Sequence, residues 1–368
     1  MTYASYTASL ALIALMGFLI QAGAAPVKIA ATDVQHFTVY HSPQTPGYTC
    51  WVGAWLMPDD TLMVSFHQAT GPFTGRPMAS KDIQKQLNWP RPGLSRGYDM
   101  TGTIQKIIHL ASSDGGHTWQ QVSWEPFHTP MNGLTCEAET ALPDGTLVRG
   151  VYGSWLVFYD VPHTGYLQFS TDRAKSWGPP RLLKHSISPH RLRVLRDGRL
   201  ALVSGQSLFL SADGGHTWSE PISAWPKEHA TKLSTESDFA ELPDGRLLFV
   251  HRADRPPSRW QSVLVPDGES FRLASSGPAP FPHSGHPEML AAREGVALHL
   301  ASTGIHWTAD AGQTWHDLGI GGTGYYPRSV QLPDGTIFCV YHRGGDNPYD
   351  GSVDQEIQAM TFRLQVEE

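Results

Sequence analysis

Two interleaved families of turn signals, with no long helical period between them, predict an all-β fold: a six-bladed β-propeller of four-stranded antiparallel blades. The first family is Ser112-Ser-Asp-Gly-Gly-His-Thr-Trp119, with relatives at Ser170 to Trp177, Ser211 to Trp218 and Thr308 to Trp315. Each places Ser or Thr, then Asp, then a small or Gly-rich turn, then Thr or Ser and a Trp. The short Asp can accept hydrogen bonds from the turn's own backbone, glycine accommodates positive φ, and Trp lays an apolar ring over the hairpin. The second family puts apolar residues on both sides of an Asp-Gly turn, at Leu142 to Leu147, Leu195 to Leu200, Leu242 to Leu247 and Leu332 to Ile337. Met57-Pro-Asp-Asp-Thr-Leu62 is a looser copy, and Arg293-Glu-Gly295 a sixth candidate. Two successive hairpins make four strands, which is the composition of one propeller blade.

In chain order, Leu10 to Ile20 is an apolar run followed by Ala22-Gly-Ala-Ala25, the pattern of a secretory h-region and an A-x-A cleavage site. Residues 1–24 therefore read as a signal peptide and 25–368 as a single propeller domain, exported to the periplasm or the medium, with no membrane span after cleavage. The formal net charge of -7 and the 36 glycines fit a soluble, turn-rich chain and argue against a nucleic-acid partner. Three cysteines cannot make a disulfide framework. Cys50 and Cys136 fall in the inner strands of consecutive blades, which leaves one bridge open, while Cys339 sits in an apolar run as a buried thiol.

Blade one spans Tyr48 to Val122, blade two Leu134 to Leu183, blade three Ser188 to Pro221, blade four Thr235 to Ser276, blade five His283 to Leu318, and blade six Gly324 to Leu364. Blade four has Val265-Pro-Asp-Gly268 in place of an Asp hairpin, so its outer hairpin reads as degenerate. Blade six lacks the outer Asp hairpin, and the strand-like His36-Phe-Thr-Val-Tyr40 is placed to complete it and close the ring.

Residues equally distant before and after a hairpin turn lie at the same end of the two strands. Eight positions before the turn Asp, or Glu294 in its place, stand Trp51, Cys136, Pro189, Glu236, His286 and Tyr326; eight after stand His67, Tyr152, Gly205, Arg252, Ser302 and His342. In a propeller these two rings surround the mouth of the central channel. That mouth is rich in residues that bind and react.

The Asp hairpins resemble the Asp boxes of the sialidase superfamily. Thr235 to Arg252 is similar to the sialidase stretch in which a Glu begins the inner strand and an Arg ends the next, and Gly324 to Gly335 to the segment that carries the family's nucleophilic Tyr. The resemblance implies Tyr326 as nucleophile, Glu236 as its partner and Arg252 as one member of a carboxylate-binding Arg triad. The other two triad positions hold no Arg here: the first-blade region is Gly47-Tyr-Thr-Cys-Trp51 and the fifth-blade region Ala301-Ser-Thr-Gly304. Arg328 and Arg343 lie near the mouth as further cations. The implied activity is an exo-acting glycoside hydrolase on terminal sialic acid or a related acidic sugar, with a glycan as partner, no cofactor and a monomeric state.

The chemistry of the pair also stands on its own. A phenol with a pKa of about 10 is a weak nucleophile at neutral pH, and a neighbouring carboxylate that takes its proton makes it competent. A separate acid must protonate the departing oxygen. Asp99, in the long Gln68 to Thr103 loop that would rise over the mouth, is the candidate. His286 is a further proton-handling candidate, and His190, His67, Trp51 and Glu137 complete the expected binding surface; Glu139 shares a strand face with Glu137 but lies farther from the mouth. Other roles compete: Tyr326 as a packing aromatic, Glu236 with Arg252 as a structural ion pair, His286, His190 and His67 as structural histidines. The staple aspartates Asp114, Asp172, Asp213 and Asp310 read as structural. With no short H-x-x-H or C-x-x-C spacing, a metal site is not expected, although His67, His286 and His342 share the mouth. Two other functions remain open: a lyase or His-assisted hydrolase on uronic-acid glycans, and a carbohydrate-binding propeller without chemistry.

Overall fold

The computed structural model describes residues 28–44, 47–71, 80–86, 102, 104–126, 138–153, 164–184, 187–226, 233, 236–254, 256–343 and 356–367. They form six four-stranded antiparallel sheets, each built from consecutive strands except the last. The innermost strands are Tyr48–Leu56, Glu139–Ala141, Arg191–Val194, Ser237–Glu241, Glu288–Ala291 and Tyr325–Gln331. In blade six the outermost strand is Lys28–His41, paired antiparallel with Glu356–Glu367, so the N-terminal segment closes the ring as expected. The signal-peptide segment lies outside the described residues. Among those described, one short helix, Lys81–Gln86, is found, and no helix is long and apolar enough to cross a membrane.

The inner turns repeat one geometry. In blade two, Leu142 N–H donates to Thr146 O at 2.8 Å, Gly145 N–H to Leu142 O at 2.9 Å, and Asp144 caps Thr146 N at 2.8 Å. The loose copy in blade one works because Asp60 itself adopts φ 64° where the others have glycine. The outer Asp hairpins are also uniform. Ser112 Oγ donates to Asp114 Oδ1 at 2.7 Å and accepts from Gly116 N, while Asp114 Oδ1 accepts from Thr118 N at 2.9 Å. The same bonds recur around Asp172, Asp213 and Asp310. Blade four replaces the staple with a longer ladder, strands of 11 and 9 residues joined at Asp267 and Ser270.

The staple tryptophans do more than cover their own hairpins. Trp119 of blade one lies 5.8 Å from Phe338 of blade six, and Trp315 of blade five lies 4.8 Å from Phe281 and donates to Gln261 Oε1 of blade four at 2.8 Å. The apolar core is accordingly divided among the interfaces between neighbouring blades, with one large cluster at each of the six. Cys50 and Cys339 are both buried, and Cys136 lies outside the described residues.

Around the channel axis the inner strands carry buried charge. Asp238 accepts from Arg191 Nε at 3.1 Å, from Arg193 Nη2 at 2.8 Å and from the Met289 backbone at 2.8 Å. Glu288 accepts from Arg191 Nη2 at 2.6 Å and from Ser329 N and Oγ at 2.8 and 2.7 Å. These groups from blades three to six interlock across the axis. Beneath them, at the end where the inner turns lie, a cavity of about 450 Å³ is lined by Arg193, Arg196, Glu241 and Arg293 among others.

Candidate active site at the channel mouth

Tyr326, Glu236 and Arg252 meet at the opposite end. Tyr326 is the second residue of the innermost strand of blade six, Glu236 immediately precedes that of blade four, and Arg252 lies two residues before the end of the next strand of the same blade. The Tyr326 hydroxyl donates to Glu236 Oε1 at 2.7 Å. Arg252 Nη1 donates to Glu236 Oε2 at 2.7 Å and to the Tyr326 oxygen at 3.0 Å. The phenol therefore has a carboxylate to take its proton and a guanidinium to favour the oxyanion left behind. Burial works against the Arg252 cation, but Glu236, Tyr326 and Asp254 outweigh it and raise its pKa above the ordinary arginine value.

The backbone is strained at this point. Tyr326 has φ 53°, and Trp51, at the matching position of blade one, has φ 54°. Both sit where the register with the neighbouring strand shifts, between Tyr325 and Arg328 and between Cys50 and Gly53. Bulges of this kind re-aim side chains beside functional sites, and bulky residues in the left-handed region persist only where surrounding structure holds them. Two rims are held so here. Trp51 N donates to His342 Nδ1 at 3.2 Å, and the His342 ring lies 5.7 Å from that of Tyr326.

A loop from blade five presses on the nucleophile candidate. A Cβ on Gly285 would stand 2.6 Å from Tyr326 Cε2 and 2.7 Å from Tyr325 Cζ, so only glycine fits against the two rings. Arg259, 1% exposed, holds this loop by donating Nη2 to the carbonyls of Ser284 and, at 2.6 Å, Gly285. Burial lowers its pKa to about 10, still far above neutrality. Beyond Arg252 the polar chain continues: Arg252 Nε donates to Asp254 Oδ1 at 2.7 Å, and His283 Nε2 lies 2.9 Å from the same oxygen. Burial opposes ionisation of Asp254, but these hydrogen bonds outweigh it and lower its pKa.

The remaining expected residues divide. His286 is 1% exposed, with its ring 6.1 Å from Tyr326 and Nδ1 2.8 Å from Pro287 O. Burial holds its pKa well below the ordinary value. His67, 2% exposed, stacks against Trp51 at 5.5 Å and is lowered to about 3 by burial. His190 lies 3.0 Å through Nε2 from Ser188 Oγ and is likewise lowered by burial. Arg328 differs from the expected rim cation. It is 1% exposed and places Nη1 2.6 Å from Pro327 O and 3.6 Å from Glu288, because the bulge at Tyr325 changes which face it occupies. Arg343 is exposed just past the strand Ile337–His342. Glu139, next to the expected Glu137, is buried 3.4 Å from His109. Asp99 and Glu137 lie outside the described residues. Among the described residues no three His, Cys, Asp or Glu side chains gather as a metal set.

No protein-family model matches the sequence, and no curated protein matches it significantly. Solved structures do match. A protein of unknown function from Dyadobacter fermentans superposes with a TM-score of 0.62 over 90% of this chain and 99% of its own, at 17% identity. An α-L-arabinofuranosidase of Fusarium graminearum, in complex with arabinobiose, gives 0.57 over 89% and 98%, at 12% identity. The NanB sialidase of Streptococcus pneumoniae gives 0.56 over 89% and 70%, at 12% identity. The chain has the six-bladed propeller fold of sialidases and arabinofuranosidases. Within that fold, counting along the sequence locates Tyr326, Glu236 and Arg252 at the mouth. It misses Arg259, Gly285, Asp254 and His283 as neighbours of the pair. The only sequence signals for these are the Arg-x-Asp spacing after Arg252 and the His-Ser-Gly-His run that ends at His286.

Proposed function

We propose that the protein is an exported, exo-acting glycoside hydrolase in which Tyr326 is the nucleophile and Glu236 its base. The observation that carries this reading is the bonded set of Tyr326, Glu236 and Arg252, in which the hydroxyl of a strained tyrosine donates a hydrogen bond to a carboxylate. In the first step the Tyr326 oxygen bonds to the anomeric carbon, its proton passes to Glu236, and the glycosidic C–O bond breaks as an acid protonates the leaving oxygen. In the second step water attacks the same carbon and gives a proton to the conjugate base of that acid. The bond to Tyr326 breaks, and Glu236 returns the proton to the phenolate. Most glycosidases work instead with two carboxylates; a tyrosine nucleophile is a recognised exception to that scheme.

Asp99 is proposed as the acid. Asp254 suits that role poorly, because Arg252 and His283 hold it ionised. The likeness to sialidases brings sialic acid or a related acidic sugar to the assay first, with Arg252 facing its carboxylate, and the likeness to the Fusarium enzyme brings arabinofuranosides. Release of the aryl group from a panel of aryl glycosides is the test. Tyr326→Phe and Glu236→Gln are each expected to lower kcat by about 10³-fold or more while melting as the parent does. Retained turnover in Tyr326→Phe contradicts the reading.

A further inference from the structure

We infer that Arg259 is a positioning residue for Tyr326, which it sets through the loop that backs the tyrosine ring; this rests on the glycosidase reading above and adds the residue that holds its nucleophile in place. The hydroxyl end of Tyr326 is bonded by Glu236 and Arg252 of blade four. Bonds at the oxygen alone do not fix the tilt of the ring, and the left-handed backbone at Tyr326, φ 53°, is a strain that the surroundings must carry. Gly285 meets the edge of that ring. An added Cβ there would stand 2.6 and 2.7 Å from Cε2 and Cδ2 of Tyr326 and 2.7 Å from Cζ of Tyr325, so the loop backbone itself is the stop against which both rings rest.

Gly285 belongs to the segment that carries the chain from the outer strand of blade four, ending at Pro278, to the inner strand of blade five, starting at Glu288. Ser284, Gly285 and His286 are buried there outside any strand, so their carbonyls need partners that no ladder supplies. Arg259 supplies two. It is paired directly with Arg252 across the hairpin, which sets both guanidinium groups on one face of blade four, and it donates Nη2 to Ser284 O and, at 2.6 Å, to Gly285 O. Among the described residues these are the hydrogen bonds its side chain makes, since Nε and Nη1 are buried without one. Burial is the largest influence on its charge and opposes it, Arg252 opposes it further, and Glu236 is the main group in its favour. An apolar side chain in this place would avoid that cost. What the guanidinium provides is a charge-assisted hold on two successive carbonyls, and through them on the rings in front. The other ties of the loop, Phe281 stacked on His299 at 4.3 Å and Ser284 Oγ 2.7 Å from Ser302 Oγ, bear on side chains, whereas Arg259 grips the backbone that faces Tyr326. At 1% exposure Arg259 acts through the tyrosine and not on the sugar.

The experiment uses the whole mature chain and the aryl glycoside that the parent turns over best, each variant being assayed well below its melting temperature. Arg259→Met removes the hold on the carbonyls at similar side-chain length, and Leu264→Ala, in the core cluster towards the other end of the same strand, is the control for lost stability. Arg259→Met is expected to lower kcat by about tenfold or more with KM within about threefold of the parent, because the ring loses its aim while the sugar-binding surface stays. Leu264→Ala should keep both constants within about threefold. Gly285→Ala completes a cycle with Arg259→Met. In the parent its methyl group forces the rings aside, but once Arg259 is gone the loop can withdraw, so the further loss of kcat is expected to be about threefold or less. Arg259→Lys keeps the charge but offers a point donor to two carbonyls, so it should lose kcat severalfold, and it carries the test if Arg259→Met does not fold. Parent kcat in the Arg259 variants, a loss no larger than that of Leu264→Ala, or losses from Arg259→Met and Gly285→Ala that multiply in full overturns the inference and leaves the glycosidase reading intact. No turnover by the parent, or turnover indifferent to Tyr326→Phe, overturns both.

Discussion

Gly285 shows how closely the site is fitted. Its backbone touches the ring that we assign as nucleophile, and a methyl group there would need Tyr326 or Tyr325 to move. Gly285→Ala is expected to lower kcat by about tenfold or more at a stability cost of about 1–3 kcal/mol. Gly277, whose added Cβ would meet nothing within 4 Å, serves as the control, and Gly277→Ala should match the parent in both activity and melting. Below the mouth, Glu288 is fully buried between Arg191, Arg328 and the Ser329 backbone. Glu288→Gln keeps the shape but leaves Asp238 as the one carboxylate facing Arg191, Arg193 and Arg328 among the described residues, so denaturant unfolding should show a loss of about 3–5 kcal/mol. A loss below about 1 kcal/mol would show that the ionic cluster is not a structural tie.

At the scale of the element, the Asp hairpins link stability to pH. Hydrogen bonds from Thr118 and Ser112 hold Asp114 well below the ordinary carboxylate pKa, bonds from Thr217 do the same for Asp213, and bonds from Ser176 lower Asp172 to about 2. A carboxyl whose pKa is lower when folded contributes stability above its unfolded pKa and loses it as pH falls through the folded one. The melting temperature should therefore fall steeply from about pH 4 downward. Asp172→Asn should start lower at neutral pH and fall less steeply. These hairpins were legible in the sequence because every bond in them is local, Ser or Thr to Asp to Thr over a few residues. The position of Tyr326, Glu236 and Arg252 was legible for a related reason: counting from an Asp-Gly turn fixes the end of a strand. Arg259 was not legible. It is the cross-strand partner of Arg252 through a hairpin without an Asp-Gly signal, and its own bonds go to a loop 25 and 26 residues away. The burial of Arg328 against Glu288 was not legible either, because a bulge just before it breaks the alternation from which the face of a strand residue is read.

The whole molecule is a ring whose closure depends on one strand from the far end of the chain. Lys28–His41 pairs with Glu356–Glu367 along nearly its full length, covering an edge that would otherwise be open, and carries Ile29 and Val39 into the cores on either side of blade six. Removal of residues 28–41 should lower the melting temperature more than any point substitution above and should promote self-association through the exposed edge, measurable by calorimetry and light scattering. Unchanged melting would mean that the other strands hold the ring closed alone. Closure also serves the site, since Tyr326 and Glu236 come from blades six and four and meet only across a completed channel.

The most direct test of the central claim is to trap the covalent intermediate. A fluorinated glycosyl fluoride of the sugar that the enzyme turns over would be added, the reaction acid-quenched, and the peptides mapped by mass spectrometry. One sugar residue attached to the peptide containing Tyr326, and absent in Tyr326→Phe, is the result we expect. Attachment to Glu236, or turnover with no attached sugar at any stage, would contradict the assignment of Tyr326 as nucleophile.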